Sequence, residues 1–318
     1  MAMLDSKTSN TVTWAPSAPK VAIVIPAYNE ARFIGSIALE AGEYGLVLVV
    51  DDGSCDRTAQ IASHAGALVL QHEVNRGKGA ALSTGFRYVK TLEPDVVVTI
   101  DGDGQHSCAE IPKLIVPILS GAADLVVGSR FLSQKNRIPR WRIIGQHALT
   151  LATNLSSGAR LTDSQSGFRA FSASILQCMN FDASNFSVES EMQFLARDRQ
   201  LRITEIPISC IYEEPPKRDP VKQAMQVISG IIQLVSRHRP LLFFGGGGFL
   251  VLLVGLGWGA YVVDIYTRLH QLAVGYTLIS VLLSIIGSSA LFTGLMLNSV
   301  LGLMLELKKT LERLQISG

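Results

Sequence analysis

The chain has 318 residues, 48 % hydrophobic and 17 % charged, with a formal net charge of +2. It exceeds one average domain and is more apolar than most soluble enzymes. The net charge says little about nucleic acid, but no basic stripe interleaved with aromatics is visible and no nucleic-acid partner is expected, and the lack of Walker-type or Gly-x-Gly-x-x-Gly openings weakens kinase, ATPase and dinucleotide readings.

The first 19 residues are polar, with Ser, Thr, Asn and two prolines and no apolar signal-peptide core, and read as a disordered tail. Apolar runs then predict strands at Val21–Pro26, Leu46–Val50, Ala67–Gln71, Val96–Ile100 and Leu125–Gly128. With helical signals between them, these favour a doubly wound, mainly parallel α/β sheet. Each strand ends in something polar: Tyr28-Asn-Glu30, Asp51-Asp-Gly-Ser54, Asn75-Arg-Gly-Lys78, Asp101-Gly-Asp-Gly-Gln-His106 and Ser129-Arg130. Ligands in such sheets sit beyond the carboxyl ends of strands, so five loops are expected to meet at one crevice.

A basic stretch with Arg137, Arg140 and Arg142 follows, then a helix through about Ser157, the sequence Asp163-Ser-Gln-Ser-Gly-Phe-Arg169, and a helix with Glu189 and Glu191 that ends near Arg199. Pro220–His238 reads as an amphipathic helix, with Val221, Ala224, Ile228, Ile231, Ile232 and Val235 on one face. That stripe suits either a protein core or a lipid interface. No charge occurs from Leu241 to Val263 or from Gln271 to Leu305, and each run is long enough to cross a bilayer core. Lys217, Arg218, Lys222, Arg237 and Arg239 precede the first run and Lys308, Lys309 and Arg313 follow the second, whereas only Arg268 lies between. Positive charge marks the cytoplasmic side, so both termini are expected there. The expected order is a tail (1–19), a catalytic domain (20–215), an interfacial helix (216–240), two transmembrane helices (241–305) and a cytoplasmic tail (306–318). Cys55, Cys108, Cys178 and Cys210 are too dispersed for a paired metal motif and fit a reducing, cytosolic setting.

The hexapeptide Asp101–His106 carries the most chemistry. Behind a strand, residues two apart share a face, which would let Asp101, Asp103 and Gln105 converge. Hard oxygen donors suit Mg²⁺ or Mn²⁺, which take the rest of their shell from phosphates and water. For Asp51 a strand-end capping role is preferred, and for His106 that of a hydrogen-bonded structural histidine.

Together, Pro26-Ala-Tyr-Asn-Glu30, Val50-Asp-Asp-Gly-Ser54, Asn75-Arg-Gly-Lys78, Asp101-Gly-Asp-Gly-Gln105, Gly128-Ser-Arg130 and Ser166-Gly-Phe-Arg169 resemble the family-2 glycosyltransferases. The likeness is to dolichyl-phosphate mannose synthase and the bacterial and archaeal polyprenyl-phosphate glycosyltransferases, over about residues 20 to 215. The resemblance implies an A-type nucleotide-sugar (Rossmann-like) fold, Mg²⁺ or Mn²⁺, and inverting transfer of one hexose from a UDP- or GDP-sugar to a polyprenyl phosphate. It implies that Pro26, Tyr28 and Glu30 flank the nucleobase and ribose, that Asp52 accepts hydrogen bonds from the base, and that Lys78 or Arg76 offsets the diphosphate. Asp101, Asp103 and Gln105 match the metal and diphosphate positions. Arg130 and Arg142, with Arg140 as an alternative, are similar to the acceptor-phosphate arginines. Asp163 would position a sugar hydroxyl, accept a proton or cap a turn. Arg169 would bind phosphate or pair with Glu189 or Glu191.

The rival readings are a processive polysaccharide synthase and a non-catalytic nucleotide-sugar-binding membrane subunit. Gln134-Lys-Asn-Arg137 is followed by Ile138 and lacks the Gln-x-x-Arg-Trp signature of the former. The sugar is left open, and a homo-oligomer is compatible with Asn298 and the small residues of Gly255-Leu-Gly-Trp-Gly259.

Overall fold

The computed structural model describes residues 19–132, 140–176, 188–210, 232, 236, 239–270 and 274–316. The chain divides into two compact units, Met1–Val227 and Ile228–Gly318. The expected N-terminal tail before residue 19, Arg137, and the Pro220–His238 helix apart from residues 232 and 236 lie outside the described residues.

The first unit is built on a seven-stranded sheet of order β3-β2-β1-β4-β6-β5-β7. Its strands are β1 Val21–Ala27, β2 Leu46–Asp51, β3 Leu68–Gln71, β4 Val96–Thr99, β5 Leu125–Ser129, β6 Arg169–Ser172 and β7 Ile203–Pro207. The helices are α1 Ile34–Gly42, α2 Thr58–His64, α3 Lys78–Lys90, α4 Ile111–Leu119, α5 Arg140–Ser157, α6 Ala173–Leu176 and α7 Val188–Asp198. Strands β3, β2, β1 and β4 are mutually parallel, β7 is parallel to β5, and β6 runs antiparallel between β4 and β5. The five strands expected from the sequence are present; β6 and β7 were not anticipated.

Strand pleating sorts the apolar residues into two cores. Ile23, Ile25, Val47, Val49 and Val98 pack with Ile34, Ile37 and Ala41 of α1 and Ile111, Leu114 and Ile118 of α4. Ala22, Val24, Leu48, Val50 and Val97 pack on the other face with Leu82, Phe86 and Val89 of α3 and Met192 and Ala196 of α7. Phe86 meets Phe171 of β6 edge to face, with centroids 5.5 Å apart. Each such fully buried side chain stabilises the fold by ~1.5–3 kcal/mol. The carboxyl ends of β1 to β4 therefore point the same way from a sheet covered on both faces, and their loops share one edge.

The second unit contains α8 Gly247–Leu269, preceded by a π-helical turn at Leu241–Gly246, and α9 Val274–Ile316. Leu241–Leu269 and Val274–Met304 are long and apolar enough to cross a membrane, each with mean hydropathy 2.0. Small residues line their seam: a Cβ on Gly255 would stand 2.7 Å from Ser284 Oγ, one on Gly259 2.7 Å from Ser280 Oγ, and one on Gly248 2.6 Å from the Leu291 nitrogen. Ser280 Oγ donates to the Gly255 carbonyl at 2.8 Å. Gly255 and Gly259 thus pack within the hairpin, as close helix approach in lipid requires.

Candidate active site

Four loops at the carboxyl edge of the sheet form a cavity of about 410 Å³ lined by Pro26, Tyr28, Glu30, Asp52, Asn75, Gly77, Lys78, Asp101, Gly102 and Asp103. Seven residues singled out in the sequence, Pro26, Tyr28, Glu30, Asp52, Lys78, Asp101 and Asp103, meet there. Tyr28 is 45 % exposed at its wall. The β1–α1 loop is held by its neighbour: the Asn29 nitrogen donates to Ser54 Oγ at 2.8 Å, and the Glu30 nitrogen to Thr58 Oγ1 at 2.9 Å.

Asp51 accepts hydrogen bonds from the Ser54 hydroxyl and backbone nitrogen, the strand-end capping role. Asp52 clamps the β3–α3 loop. Its Oδ1 accepts from the Arg76 nitrogen at 3.0 Å, its Oδ2 from the Gly77 nitrogen at 2.7 Å, and His72 Nδ1 lies 2.7 Å from Oδ1. Two backbone amides and a ring thus fix this carboxylate, and His72 is itself held by Thr84 Oγ1 at 3.0 Å. The sequence carried no sign of His72, because its partner lies 20 residues earlier.

The Asp101–Gln105 segment is arranged by a turn and not by a pleat. Strand β4 stops at Thr99, and Gly104 adopts φ +75°, a left-handed conformation that favours glycine. The alternation expected to aim Asp101, Asp103 and Gln105 at one point therefore does not operate. Asp103 Oδ1 accepts from the Gln105 backbone nitrogen at 3.0 Å, while Gln105 Oε1 lies 4.0 Å from Cys210 Sγ. Gln105 is not among the residues lining the cavity.

Asp101 is enclosed. Thr99 Oγ1 donates to the Gly167 carbonyl at 2.8 Å, which brings Gly167 so near that an added Cβ would stand 2.5 and 2.6 Å from the Asp101 oxygens. On Oδ1 sits Lys78 Nζ at 2.6 Å, and the same ammonium lies 2.6 Å from Glu189 Oε1 of α7. Burial works to raise the Asp101 carboxyl, but the charge and hydrogen bond of Lys78 together with the charges of His106 and Arg130 outweigh it and hold the group below the usual carboxylate range. Burial and then the Asp101 charge push Asp103 up. Burial lowers the Lys78 ammonium, and the two acids more than reverse that. Burial pushes His106 down to about 4, so its ring is neutral at pH 7; it packs on Phe168 with centroids 5.4 Å apart and its backbone bridges to Cys210, but its buried Nδ1 has no hydrogen-bond partner among the described residues, so the hydrogen-bonded structural role expected of it is not met at that atom.

These two neighbouring hard carboxylates, Asp103 raised by burial and then by the charge of Asp101, form a donor set that suits Mg²⁺ or Mn²⁺. No group of three His, Cys, Asp or Glu stands ready as a full metal cage among the described residues.

Arg130, at the end of β5, is bound to Asp163 in a fork: Nε to Oδ2 at 2.7 Å and Nη2 to Oδ1 at 2.8 Å, with the Arg130 backbone nitrogen also on Oδ2 at 3.1 Å. Asp163 is fully buried. Glu205 of β7 accepts from the Thr162 and Asp163 nitrogens and fixes the same turn. Arg169 goes elsewhere. It is fully buried, and its guanidinium donates to the carbonyls of Ser166 at 2.8 Å, Glu189 at 2.9 Å and Ser164 at 2.7 Å. The structure does not bring it to the cavity for a phosphate, and it bonds the Glu189 backbone and not a carboxylate; charge alone had suggested both alternatives. Arg142 lies in the first turn of α5, and its side chain is outside the described residues. Glu189, considered only as a partner for Arg169, instead reaches the crevice through Lys78; its position opening α7 was the available signal.

Comparison with known proteins adds three findings. The family model for Glycosyl transferase family 2 matches residues 22–179. Among curated relatives, a UDP-N-acetylglucosamine–dolichyl-phosphate N-acetylglucosaminyltransferase of Methanococcus voltae is 35 % identical over 215 residues, 60 % of this chain and 86 % of that protein. An undecaprenyl-phosphate mannosyltransferase of Micrococcus luteus is 32 % identical over 211 residues, 61 % of this chain and 85 % of that protein. A crystal structure of M. tuberculosis glucosyl-3-phosphoglycerate synthase in complex with Mg²⁺ and uridine-diphosphate aligns with a TM-score of 0.54 at 25 % identity, over 69 % of this chain and 79 % of that one.

Proposed function

The chain belongs to glycosyl transferase family 2, and from that premise we propose that it transfers a single hexose, with inversion, from a UDP-linked donor to the phosphate of a polyprenyl phosphate. The cavity at the carboxyl edge of the sheet is the observation that carries this reading, because one pocket offers an aromatic wall, a clamped carboxylate, an ammonium and a partly exposed acid pair. The relatives named for dolichyl- and undecaprenyl-phosphate acceptors support the acceptor, and the neighbour with uridine-diphosphate supports the nucleotide.

In this mechanism Pro26, Tyr28 and Glu30 border the base and ribose, and the Asp52 carboxylate, already fixed on two amides, accepts from the base. Lys78 offsets diphosphate charge. Asp101 and Asp103 would hold a divalent ion, which when bound would supply charge stabilisation to a nucleoside-diphosphate leaving group. The acceptor phosphate has a second pKa near ~6 and attacks as a dianion, so it needs orientation and charge balance more than a strong base. Arg130 and Arg142 serve that need by charge and hydrogen bonding to the phosphate. Asp163 takes the Nε and Nη2 fork of Arg130 and so acts by positioning that guanidinium. The apolar hairpin tethers the enzyme to the cytoplasmic leaflet, where the lipid acceptor is concentrated.

The test is full-length protein in detergent with a short polyprenyl phosphate, Mn²⁺ and a panel of labelled UDP- and GDP-sugars. One product that partitions into organic solvent and disappears with EDTA is expected. A growing polymer would point to a processive synthase, and nucleotide binding without transfer from any donor to a non-catalytic subunit.

A further inference from the structure

The Asp101 side chain is only 26 % exposed, and two neighbours hem its carboxylate in. Gly167 backs it, with room for no Cβ, and Lys78 Nζ covers Oδ1 at 2.6 Å. The ammonium is shared with Glu189 Oε1, also at 2.6 Å, and Glu189 is itself buried. These three groups come from separate elements: the turn after β4, the first residue of α3 and the first turn of α7. An ammonium and a divalent cation cannot occupy the same face of one carboxylate oxygen, so a metal that ligates Asp101 there must displace Lys78. A lysine can comply, because its charge is a compact point on a flexible four-carbon stem. The Lys78 side chain is 37 % exposed, so a displaced ammonium keeps water on one side, and Glu189 is already in contact with it on the other.

We propose that Lys78 is an internal counter-cation that competes with the divalent ion for Asp101, and that Glu189 is the positioning residue that retains the displaced ammonium in the crevice beside the diphosphate. This rests on the nucleotide-sugar reading for the identity of the ligand. It goes further by setting the order of events. Metal alone binds weakly, because Asp101 must give up Lys78 with only one carboxylate left to hold it. Metal with nucleoside diphosphate binds tightly, because the diphosphate oxygens offer the ammonium new charge-assisted hydrogen bonds. By linkage, nucleotide and metal each strengthen the other by the same factor. The crevice thereby favours a complete metal–nucleotide pair over a stray cation.

The experiment is Mn²⁺ titration of the full chain in detergent, read by electron paramagnetic resonance with and without UDP. No sugar or acceptor is present. Changes to groups that hold a ligating carboxylate typically move metal affinity by ~10–100-fold, so Lys78→Met should bind Mn²⁺ alone about tenfold more tightly and lose most of the UDP enhancement. Lys78→Arg keeps the competing charge and should stay close to wild type. Glu189→Gln should weaken Mn²⁺ binding, and Lys78→Met with Glu189→Gln should restore it to at least the wild-type level, because the cation that Glu189 retains is gone. Lys78→Gln reads the same quantity if the methionine variant does not fold. Folded Lys78→Met or Lys78→Gln with unchanged or weaker Mn²⁺ affinity overturns the counter-cation, and a double variant as weak as Glu189→Gln overturns the role of Glu189. Either result leaves polyprenyl-phosphate transfer standing, whereas absent transfer with these Mn²⁺ shifts intact would sink the proposed reaction alone.

Discussion

Replacing Gly167 by alanine adds one methyl group where the structure has no room for it. The new Cβ would stand 2.5 and 2.6 Å from the two Asp101 oxygens and 2.8 Å from their carbon. Ordinary contact needs about 3.4 Å or more, so the carboxylate must retreat by roughly 0.8 Å or the β4–β6 pairing must open. Gly167 has little freedom to yield, because its carbonyl accepts from Thr99 Oγ1 and Thr99 is paired with Arg169 across the sheet. A misplacement of about 1 Å in a reacting assembly costs up to ~100-fold in rate, or ~2.7 kcal/mol of transition-state stabilisation. Overpacking should cost ~1–3 kcal/mol of stability. The assay is initial-rate transfer to a polyprenyl phosphate at saturating donor, with a thermal melt of the same preparation. Gly42→Ala is the control: its Cβ meets nothing within 4 Å at the end of α1, so it should keep wild-type turnover. A Gly167→Ala enzyme that is folded and turns over at the wild-type rate would refute the claim that this glycine sets the Asp101 carboxylate.

Arg169→Lys should melt well below wild type, because one ammonium cannot serve three buried carbonyls in a fixed fork and each acceptor left unmet costs ~1–3 kcal/mol; an unchanged melting temperature would show the guanidinium to be dispensable. Cys55 is exposed, whereas burial pushes the Cys108 thiol up to about 11, so alkylation at pH 8 followed by mass spectrometry should label the first and spare the second; equal labelling would contradict the buried position. Hydrogen bonds from Arg202 hold the Asp124 carboxyl below the usual carboxylate range. Its contribution is present above the unfolded carboxyl pKa of ~3.9 and lost as pH falls through the lower folded value. Asp124→Asn should therefore lower the denaturation midpoint at pH 7 and converge with wild type under strong acid, and a gap that persists in acid would refute the assignment.

How much the sequence could reveal differed from element to element. Val96–Thr99 and the other parallel strands are apolar runs that end in polar loops, and in a doubly wound sheet those loops must gather at one edge. Tyr28, Asp52, Lys78 and Asp101 could therefore be grouped before any coordinates. Strand β6 is four residues that begin with a buried arginine, and β7 is a half-buried edge that ends in proline; neither carries a clear apolar signal. Asp101 and Asp103 do line the cavity, but a turn and not strand alternation puts them there, because β4 stops at Thr99 and Gly104 turns the chain, and Gln105 is left outside. Arg169 looked like a phosphate ligand by its charge, but its partners are backbone carbonyls that no residue type announces. The link from Glu189 to Asp101 through Lys78 spans segments far apart in the chain, and only the fold joins them.

The most direct measurement is a crystallographic or cryo-EM map of the full chain with Mn²⁺ and UDP. Density for one cation against the Asp101 and Asp103 carboxylates, bridging to the diphosphate with Tyr28 at the base, is what the account requires. A map in which UDP occupies the crevice while both carboxylates turn away, with no cation beside them, would contradict it.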